Sequence, residues 1–119
     1  MTSPIGPYTP AIRSGDWVVV SGQIGLGPDG LADGFANQLR QALENLKTNL
    51  ESQGATLGEV VKTTVFLVHM TDFDELNRIY VEFFAAHAGD HRPARSAVAV
   101  AGLPLRALVE IEAWARTVG

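Results

Sequence analysis

The sequence predicts an α+β fold in which two helices cover one face of a mixed β-sheet. The chain has 119 residues, enough for one hydrophobic core and thus for a single domain over residues 1–119. Two segments repeat apolar residues at helical spacing, and the segments around them alternate apolar and polar residues or are rich in β-branched residues. The predicted order is ββαβαββ, and helices that connect strands in this order are expected to pack on one face.

The first two strands are predicted to form a β-hairpin. They span Thr9 to Arg13 and Trp17 to Gln23, and Ser14-Gly15-Asp16 between them is typical of a turn. The glycine-rich segment from Gly25 to Gly34 is predicted to be a loop. Apolar residues then recur at the spacing of one helix face until Gly54, which is predicted to end the first helix. These residues are Phe35, Leu39, Leu43, Leu46 and Leu50.

The middle of the chain predicts a strand followed by the second helix. Gly58 to His69 is mostly apolar and β-branched, as in a central strand covered on both faces. Thr71 is followed three residues later by Asp74, so Thr71 is predicted to cap the helix that comes next. The apolar residues of this helix are Phe73, Leu76, Ile79, Tyr80, Phe83 and Phe84.

The last two strands are predicted to pair as a second hairpin. Arg95 to Ala101 and Leu105 to Arg116 flank the turn at residues 102–104. In the final strand, residues 109, 111, 113 and 115 share an apolar face that suits a helix-covered core. Residues 18–22 and 60–68 are apolar on both faces, which exceeds what a water-exposed sheet surface tolerates. The uncovered face is therefore expected to contact another subunit.

Composition and charge disfavour several classes of function. The net charge of −4, without any block of basic residues, disfavours nucleic acid as a partner. The absence of cysteine excludes disulfides, zinc–thiolate sites and a thiol nucleophile. No apolar run is as long as a membrane span, and residues 1–10 lack the pattern of a signal peptide. The sequence thus predicts a soluble, cytoplasmic protein with no membrane partner.

Two binding motifs match only in their spacing. Gly25 to Gly30 has the glycine spacing of a dinucleotide fingerprint, but Pro28 lies inside it and no helix is predicted to start at its third glycine. His87 and His91 are four residues apart, as two metal ligands on a helix would be, yet the residues between them are expected to end that helix. We predict neither a nucleotide site nor a metal site.

Arg95 is the strongest candidate for binding a ligand. Alternation places Arg95, Ala97 and Ala99 on one face, where small neighbours leave room around a single cation. In the predicted second hairpin, Glu110 and Glu112 lie across from Arg95, so one guanidinium and one or two carboxylates would face the same cleft. The alternative is a cross-strand ion pair at the surface, which contributes only about 0.2–1 kcal/mol.

Six segments, in order along almost the whole chain, carry a resemblance to a known family. They are residues 5–8 (IGPY), 20–24 (VSGQI), 61–66 (VKTTVF), 77–84 (NRIYVEFF), 93–96 (PARS) and 109–113 (VEIEA). They resemble the RidA family, formerly called the YjgF family. The resemblance implies a chorismate-mutase-like fold, a homotrimer whose sheets form a barrel, and three clefts at the subunit interfaces.

The resemblance also implies a reaction and the residues that perform it. Such proteins hydrolyse imines and enamines of small amino acids, such as 2-aminoacrylate, to 2-keto acids and ammonia, and they need no cofactor. By position, Arg95 matches the arginine that binds the substrate carboxylate, and Glu110 matches the acid that positions or activates the attacking water. Tyr8, Gly22 with its backbone N–H, and Asn77 match further residues of the pocket.

Two departures from the family pattern leave alternatives open. Ala97 stands where many members carry cysteine, so a mechanism that uses that thiol is not possible here, although backbone contacts of the position persist. Pro10 removes a backbone donor near the cleft entrance. These departures favour, as an alternative, a non-catalytic module that binds small carboxylates or acts like a chaperone. A ribonuclease activity is disfavoured by the acidic charge, and alternation alone does not choose between Glu110 and Glu112.

Overall fold

A five-stranded mixed sheet with both helices on one face forms the fold, which confirms the predicted α+β class. The computed structural model describes residues 4–117. Its strands are β1 (Ala11–Ser14), β2 (Trp17–Gln23), β3 (Leu26–Gly27), β4 (Gly30–Leu31), β5 (Val60–Leu67), β6 (Ala94–Ala99) and β7 (Val109–Arg116), and its helices are α1 (Gly34–Ser52) and α2 (Phe73–Ala88). The large sheet has the strand order β1-β2-β7-β5-β6, and β3 and β4 form a small separate ladder.

Helix α1 buries its apolar stripe against the sheet at the predicted spacing. Leu39, Leu43, Leu46 and Leu50 have no exposed surface, and burial of each leucine side chain contributes about 1.5–3 kcal/mol to folding. The helix ends just before Gly54, whose φ of +80° is a conformation that favours glycine. Within residues 4–117, neither helix is both long and apolar enough to span a bilayer.

The first hairpin follows the prediction, whereas the glycine-rich segment contains a ladder that was not predicted. Strands β1 and β2 pair antiparallel, and Ser14 pairs with Trp17 next to the turn. The segment from Gly25 to Gly34 also contains the short β3–β4 ladder, which was predicted only as a loop. Gly25 lies directly on α1, because a Cβ atom at this position would be 2.5 Å from the Cα of Gln38. The segment is therefore docked on the helix.

The predicted second hairpin is wrong, because β5 lies between β6 and β7. Strand β6 pairs parallel with β5, so that Thr63 is opposite Arg95, whereas β7 pairs antiparallel with β5 and β2. Helix α2 connects β5 to β6 as a crossover, and this arrangement places the two strands side by side in parallel. Residues 100–108 then carry the chain past β5 to the position of β7.

The predicted cap of the second helix is also wrong. Helix α2 begins at Phe73, and Asp72 rather than Thr71 occupies the capping position, without a side-chain capping bond. Residues 70–72 form a turn of 3₁₀ helix, in which the Asp72 N–H donates to the His69 carbonyl at 3.0 Å. The short helix satisfies this backbone group at the start of α2, so no threonine side chain is needed there.

The face of the sheet opposite the helices carries large apolar side chains that remain exposed. Ile12, Val61, Val98 and Trp114 on this face are 42–54% exposed, and Trp17 is 39% exposed. The rings of Trp17 and Trp114 meet edge to face, with centroids 6.5 Å apart. We call this surface the uncovered face. It has the apolar character that the sequence predicts for a subunit contact.

Candidate active site

Arg95 is held by three side chains of helix α2. It lies on the edge strand β6, and its Nη2 donates to the Asn77 Oδ1 at 2.7 Å. Its guanidinium carbon is 5.6 Å from the centroid of the Phe73 ring and 5.0 Å from that of Tyr80. These distances are within the range of cation–π attraction. We call Phe73, Asn77, Tyr80 and Arg95 the Arg95 cluster.

The spacing of the helix residues explains why they converge on one guanidinium. Phe73, Asn77 and Tyr80 are separated by four and three residues, so they lie along one face of α2. Ala97 follows Arg95 on the same face of β6 and is partly buried against the core.

The guanidinium of Arg95 has no acidic partner within residues 4–117. The ion pairs closer than or equal to 4.0 Å are Lys47–Glu51, Arg78–Glu75, Arg78–Glu82 and His87–Glu44. Asn77 accepts one hydrogen bond, and guanidinium offers five N–H donors. A partly buried cation with free donors in a planar fork is suited to an anionic ligand such as a carboxylate.

Glu110 lies on the uncovered face beside Gly22. A Cβ atom at residue 22 would be 2.6 Å from the Glu110 Cδ, so only glycine allows the carboxyl group to take this position. Gly22 lies in an irregularity of β2, where the pairing with β7 shifts between Val20 and Gln23. Such irregularities redirect side chains at functional sites. Here the shift brings the β2 backbone against the acid.

Tyr8, Gly22 and Glu110 line one cavity of about 410 Å³. Its remaining wall includes Pro10, the residue that the sequence predicts near the cleft entrance. A wider cleft continues from the cavity past Glu112. We call this region the Glu110 cavity.

The surroundings of Glu110 disfavour its charged form. Burial raises the pKa of Glu110, and the negative charge of Glu112 raises it further. Glu110 and Glu112 lie on the same face of β7, and Ala113 lies on the other face, as alternation predicts. Glu110 therefore keeps its proton to a higher pH than an ordinary glutamate does.

The Arg95 cluster and the Glu110 cavity lie on opposite faces of the sheet, which corrects the expectation of one shared cleft within a chain. Thr63 pairs with both Arg95 and Ala113, and Ala113 is fully buried under the helices. Glu110 is an odd number of residues from Ala113, so its side chain points the other way. The expectation failed because it relied on the second hairpin, which the structure does not contain.

Phe73 and Tyr80 contact Arg95, although the sequence identified them only as apolar residues of the second helix. Helical spacing identifies the buried face of α2 but does not show what lies over it. The spacing of Phe73, Asn77 and Tyr80 along α2 was the available signal, because an amide oxygen and two ring faces are all partners of a guanidinium.

The histidines have separate contacts. The Nε2 of His87 is 4.0 Å from the Oε1 of Glu44, and the Nε2 of His91 is 2.7 Å from the carbonyl oxygen of Val60. Within the described residues 4–117, no three side chains of metal-ligating type are grouped together.

Comparison with known proteins places this geometry in a family. The profile of the family described as Endoribonuclease L-PSP matches residues 1–117. A RutC family protein of Pyrococcus horikoshii is 44% identical over 115 residues, which cover 94% of this chain and 88% of that protein. A 2-iminobutanoate/2-iminopropanoate deaminase of Salmonella typhimurium is 43% identical over 113 residues, which cover 93% of this chain and 88% of that one.

A solved structure agrees with the sequence comparison. The crystal structure of E. coli TdcF with bound serine matches with a TM-score of 0.92 and 37% identity, over 97% of this chain and 91% of that chain. Fold, motifs and profile thus agree along nearly the whole length. The chain belongs to the Endoribonuclease L-PSP family, which is the RidA family that its six sequence motifs resemble.

Proposed function

We propose that this protein is a cofactor-independent imine deaminase, which hydrolyses imines and enamines of small 2-amino acids to 2-keto acids and ammonia. The observation that carries the proposal is the partly buried guanidinium of Arg95, which has no acidic partner among residues 4–117, combined with the carboxyl group of Glu110, whose pKa is raised. A relative that is 43% identical is named 2-iminobutanoate/2-iminopropanoate deaminase, and this name supports the reaction class.

The two halves of the proposed site come from different subunits. The Arg95 cluster lies on the helix side at the β6 edge, and Glu110 lies on the uncovered face, so one chain cannot bring them to the same ligand. A second chain that covers the apolar uncovered face supplies the missing half. The proposed assembly is a homotrimer with three such clefts, in agreement with the apolar surface that a single chain leaves exposed.

In the proposed reaction, Arg95 binds the carboxylate of the imino acid and thereby fixes the C2 atom. Glu110 positions the attacking water and exchanges protons with the nitrogen. Water adds to C2 as the C=N bond becomes single and the nitrogen gains a proton. The resulting carbinolamine then releases ammonia and leaves a C=O bond. One imine and one water thus give one 2-keto acid and one ammonia.

The other matched residues shape the proposed pocket. Asn77 orients the guanidinium through the 2.7 Å hydrogen bond. Tyr8 and Gly22 line the cavity around Glu110, and Ala97 leaves space for the substrate beside Arg95. No step in this scheme needs a thiol, so alanine at position 97 is compatible with the reaction.

The test is hydrolysis of 2-aminoacrylate, generated in place by a pyridoxal-phosphate dehydratase, with keto-acid formation as the readout. Wild-type protein should accelerate the reaction over buffer. Arg95→Ala should lower kcat/KM by roughly ten- to a hundredfold, because a charge-assisted pair with the carboxylate is lost. The matched control is Arg40→Ala, which removes the same charge from the exposed side of α1. Absence of acceleration by the wild type contradicts the proposal.

A second candidate is a non-catalytic module that binds small carboxylates, or a chaperone-like protein that uses the same clefts. Pro10 favours it, since it lines the Glu110 cavity and offers no backbone N–H there. Calorimetry that detects Arg95-dependent binding of a 2-keto acid, together with no deaminase rate, would select this candidate. A ribonuclease is a weaker candidate, because a chain with a net charge of −4 repels phosphate backbones.

A further inference from the structure

Thr63 and Tyr80 form a buried hydrogen bond next to Arg95. The Thr63 Oγ1 and the Tyr80 hydroxyl oxygen are 2.7 Å apart, and either hydroxyl can donate. The two residues are 0% and 4% exposed. Thr63 is the β5 residue directly opposite Arg95 in the parallel pairing with β6. The bond therefore joins the strand beside Arg95 to the helix residue that Arg95 contacts.

This bond fixes the ring of Tyr80 at its far end. The ring also packs on Phe84, with centroids 4.7 Å apart. Burial raises the pKa of Tyr80 more than the Thr63 hydrogen bond and the charge of Arg95 lower it, so the hydroxyl stays neutral and able to share a hydrogen bond with threonine. A ring held by its hydroxyl group and by Phe84 presents a constant face to the guanidinium.

A constant ring face matters because an arginine side chain is long and has many rotamers. Ordering it costs conformational entropy, and a ligand that must order it binds more weakly. Asn77 fixes one N–H of Arg95, and the Tyr80 ring at 5.0 Å restrains the guanidinium plane. The remaining donors can then be aligned before a ligand arrives.

We propose that the Thr63–Tyr80 pair is a positioning device for Arg95, which sets the orientation in which the guanidinium receives a carboxylate. This inference rests on the proposed function, because a carboxylate of a keto or imino acid is the expected ligand. The competing view is that the bond only satisfies two buried hydroxyl groups and has no effect on ligand binding.

The double variant Thr63→Val, Tyr80→Phe separates the two views. It removes both hydroxyl groups together, so neither is left unpaired and the midpoint of unfolding should change little. Under the proposal, KM for the imine and Kd for 2-oxobutanoate, measured by calorimetry, both rise by roughly two- to tenfold while kcat stays near the wild-type value. Tyr80→Phe alone should also raise both KM and Kd. This single variant replaces the double variant in the test if the double variant folds poorly.

Thr117→Val is the matched control. Thr117 is also buried, and its hydroxyl accepts from the Arg13 Nη2 at 2.7 Å at a position remote from Arg95 along the sheet. Loss of this hydroxyl should lower stability without changing KM or Kd. Wild-type KM and Kd in the double variant would overturn the proposal.

A second measurement separates this proposal from the proposed function. ¹⁵N relaxation of the Arg95 Nε–H reports the order of the side chain without any substrate. We expect lower order in the double variant and unchanged order in Thr117→Val. If the wild-type protein binds no 2-oxobutanoate but this loss of order is seen, the proposed function fails and the positioning of Arg95 stands. Unchanged order in the double variant overturns the positioning role.

Discussion

Glu110 occupies a position where its proton is more tightly held than in water. Gly22 packs against its carboxyl group, and Glu112 adds a like charge from the same strand face, so burial first and repulsion second raise its pKa. The neutral form is favoured in the folded chain, and ionisation of Glu110 costs stability as the pH rises through its folded pKa. A carboxyl group that keeps its proton to a higher pH is better able to donate that proton to an imine nitrogen.

Replacement of Glu112 with glutamine should move the pH profile of kcat/KM. The like charge disappears while burial remains, so the pKa of Glu110 falls toward its ordinary value and the limb that reports Glu110 shifts to lower pH. Glu51→Gln removes the same charge from an exposed position of α1 and should leave the profile unchanged. If Glu112→Gln instead abolishes turnover and Glu110→Gln does not, Glu112 is the acid that serves the water.

At the scale of single residues, the sequence predicts the face of a strand on which a side chain lies, but not the side chains that it contacts in the folded protein. Alternation correctly placed Ala97 with Arg95 and Glu110 with Glu112, because side-chain direction in a strand is a local property. The aromatic contacts of Arg95 were not predictable in this way. They depend on how α2 packs beside the strand that follows it, and alternation within a strand carries no information about that packing.

At the scale of elements, the glycine-rich segment before α1 packs against the backbone of that helix at Gly25, where only glycine fits. Gly25→Ala would place a Cβ atom 2.5 Å from both the Cα and the carbonyl oxygen of Gln38, and helix backbone cannot move aside cheaply. We expect a loss of about 1–3 kcal/mol in the free energy of unfolding, measured with denaturant. Gly102→Ala is the matched control, because a Cβ atom there meets no atom within 4 Å, and it should change stability by less than about 0.5 kcal/mol.

The pairing of the last two strands shows where element-level prediction ends. The turn residues at 102–104 favoured a hairpin between β6 and β7, and the apolar pattern of the two strands did not argue against that pairing. Parallel pairing of β5 with β6 is decided by the α2 crossover, and the position of β7 between β2 and β5 is decided by burial of its apolar face under α1. Both depend on contacts between distant parts of the chain. The helices, the strands and the faces of the strands were therefore predictable from the sequence, while the order of the strands in the sheet was not.

For the whole molecule, the separation of Arg95 from Glu110 predicts complementation between two defective variants. Arg95→Ala and Glu110→Gln proteins should each retain only a small residual activity, since every interface loses one group. When the two are unfolded together and refolded in equal amounts, roughly a quarter of interfaces should combine an intact Arg95 with an intact Glu110, given random assortment in a closed ring. Keto-acid formation from 2-aminoacrylate measures the recovery.

The control for this experiment is a mixture of two differently tagged Arg95→Ala chains, which should recover no activity. Co-purification of the tags verifies that subunits have mixed. If mixed assemblies of the two different variants form and gain no activity over the separate variants, the site does not combine Arg95 of one chain with Glu110 of another, and the proposed interface is wrong.

The two tryptophans of this chain, Trp17 and Trp114, both lie on the uncovered face. Indole emission moves to shorter wavelength when water is excluded from the ring, and no tryptophan in the core adds a constant background. The protein consequently carries a built-in optical reporter of that surface. The emission maximum, followed during dilution, would show whether a second molecule covers the surface, without any label and independently of catalysis.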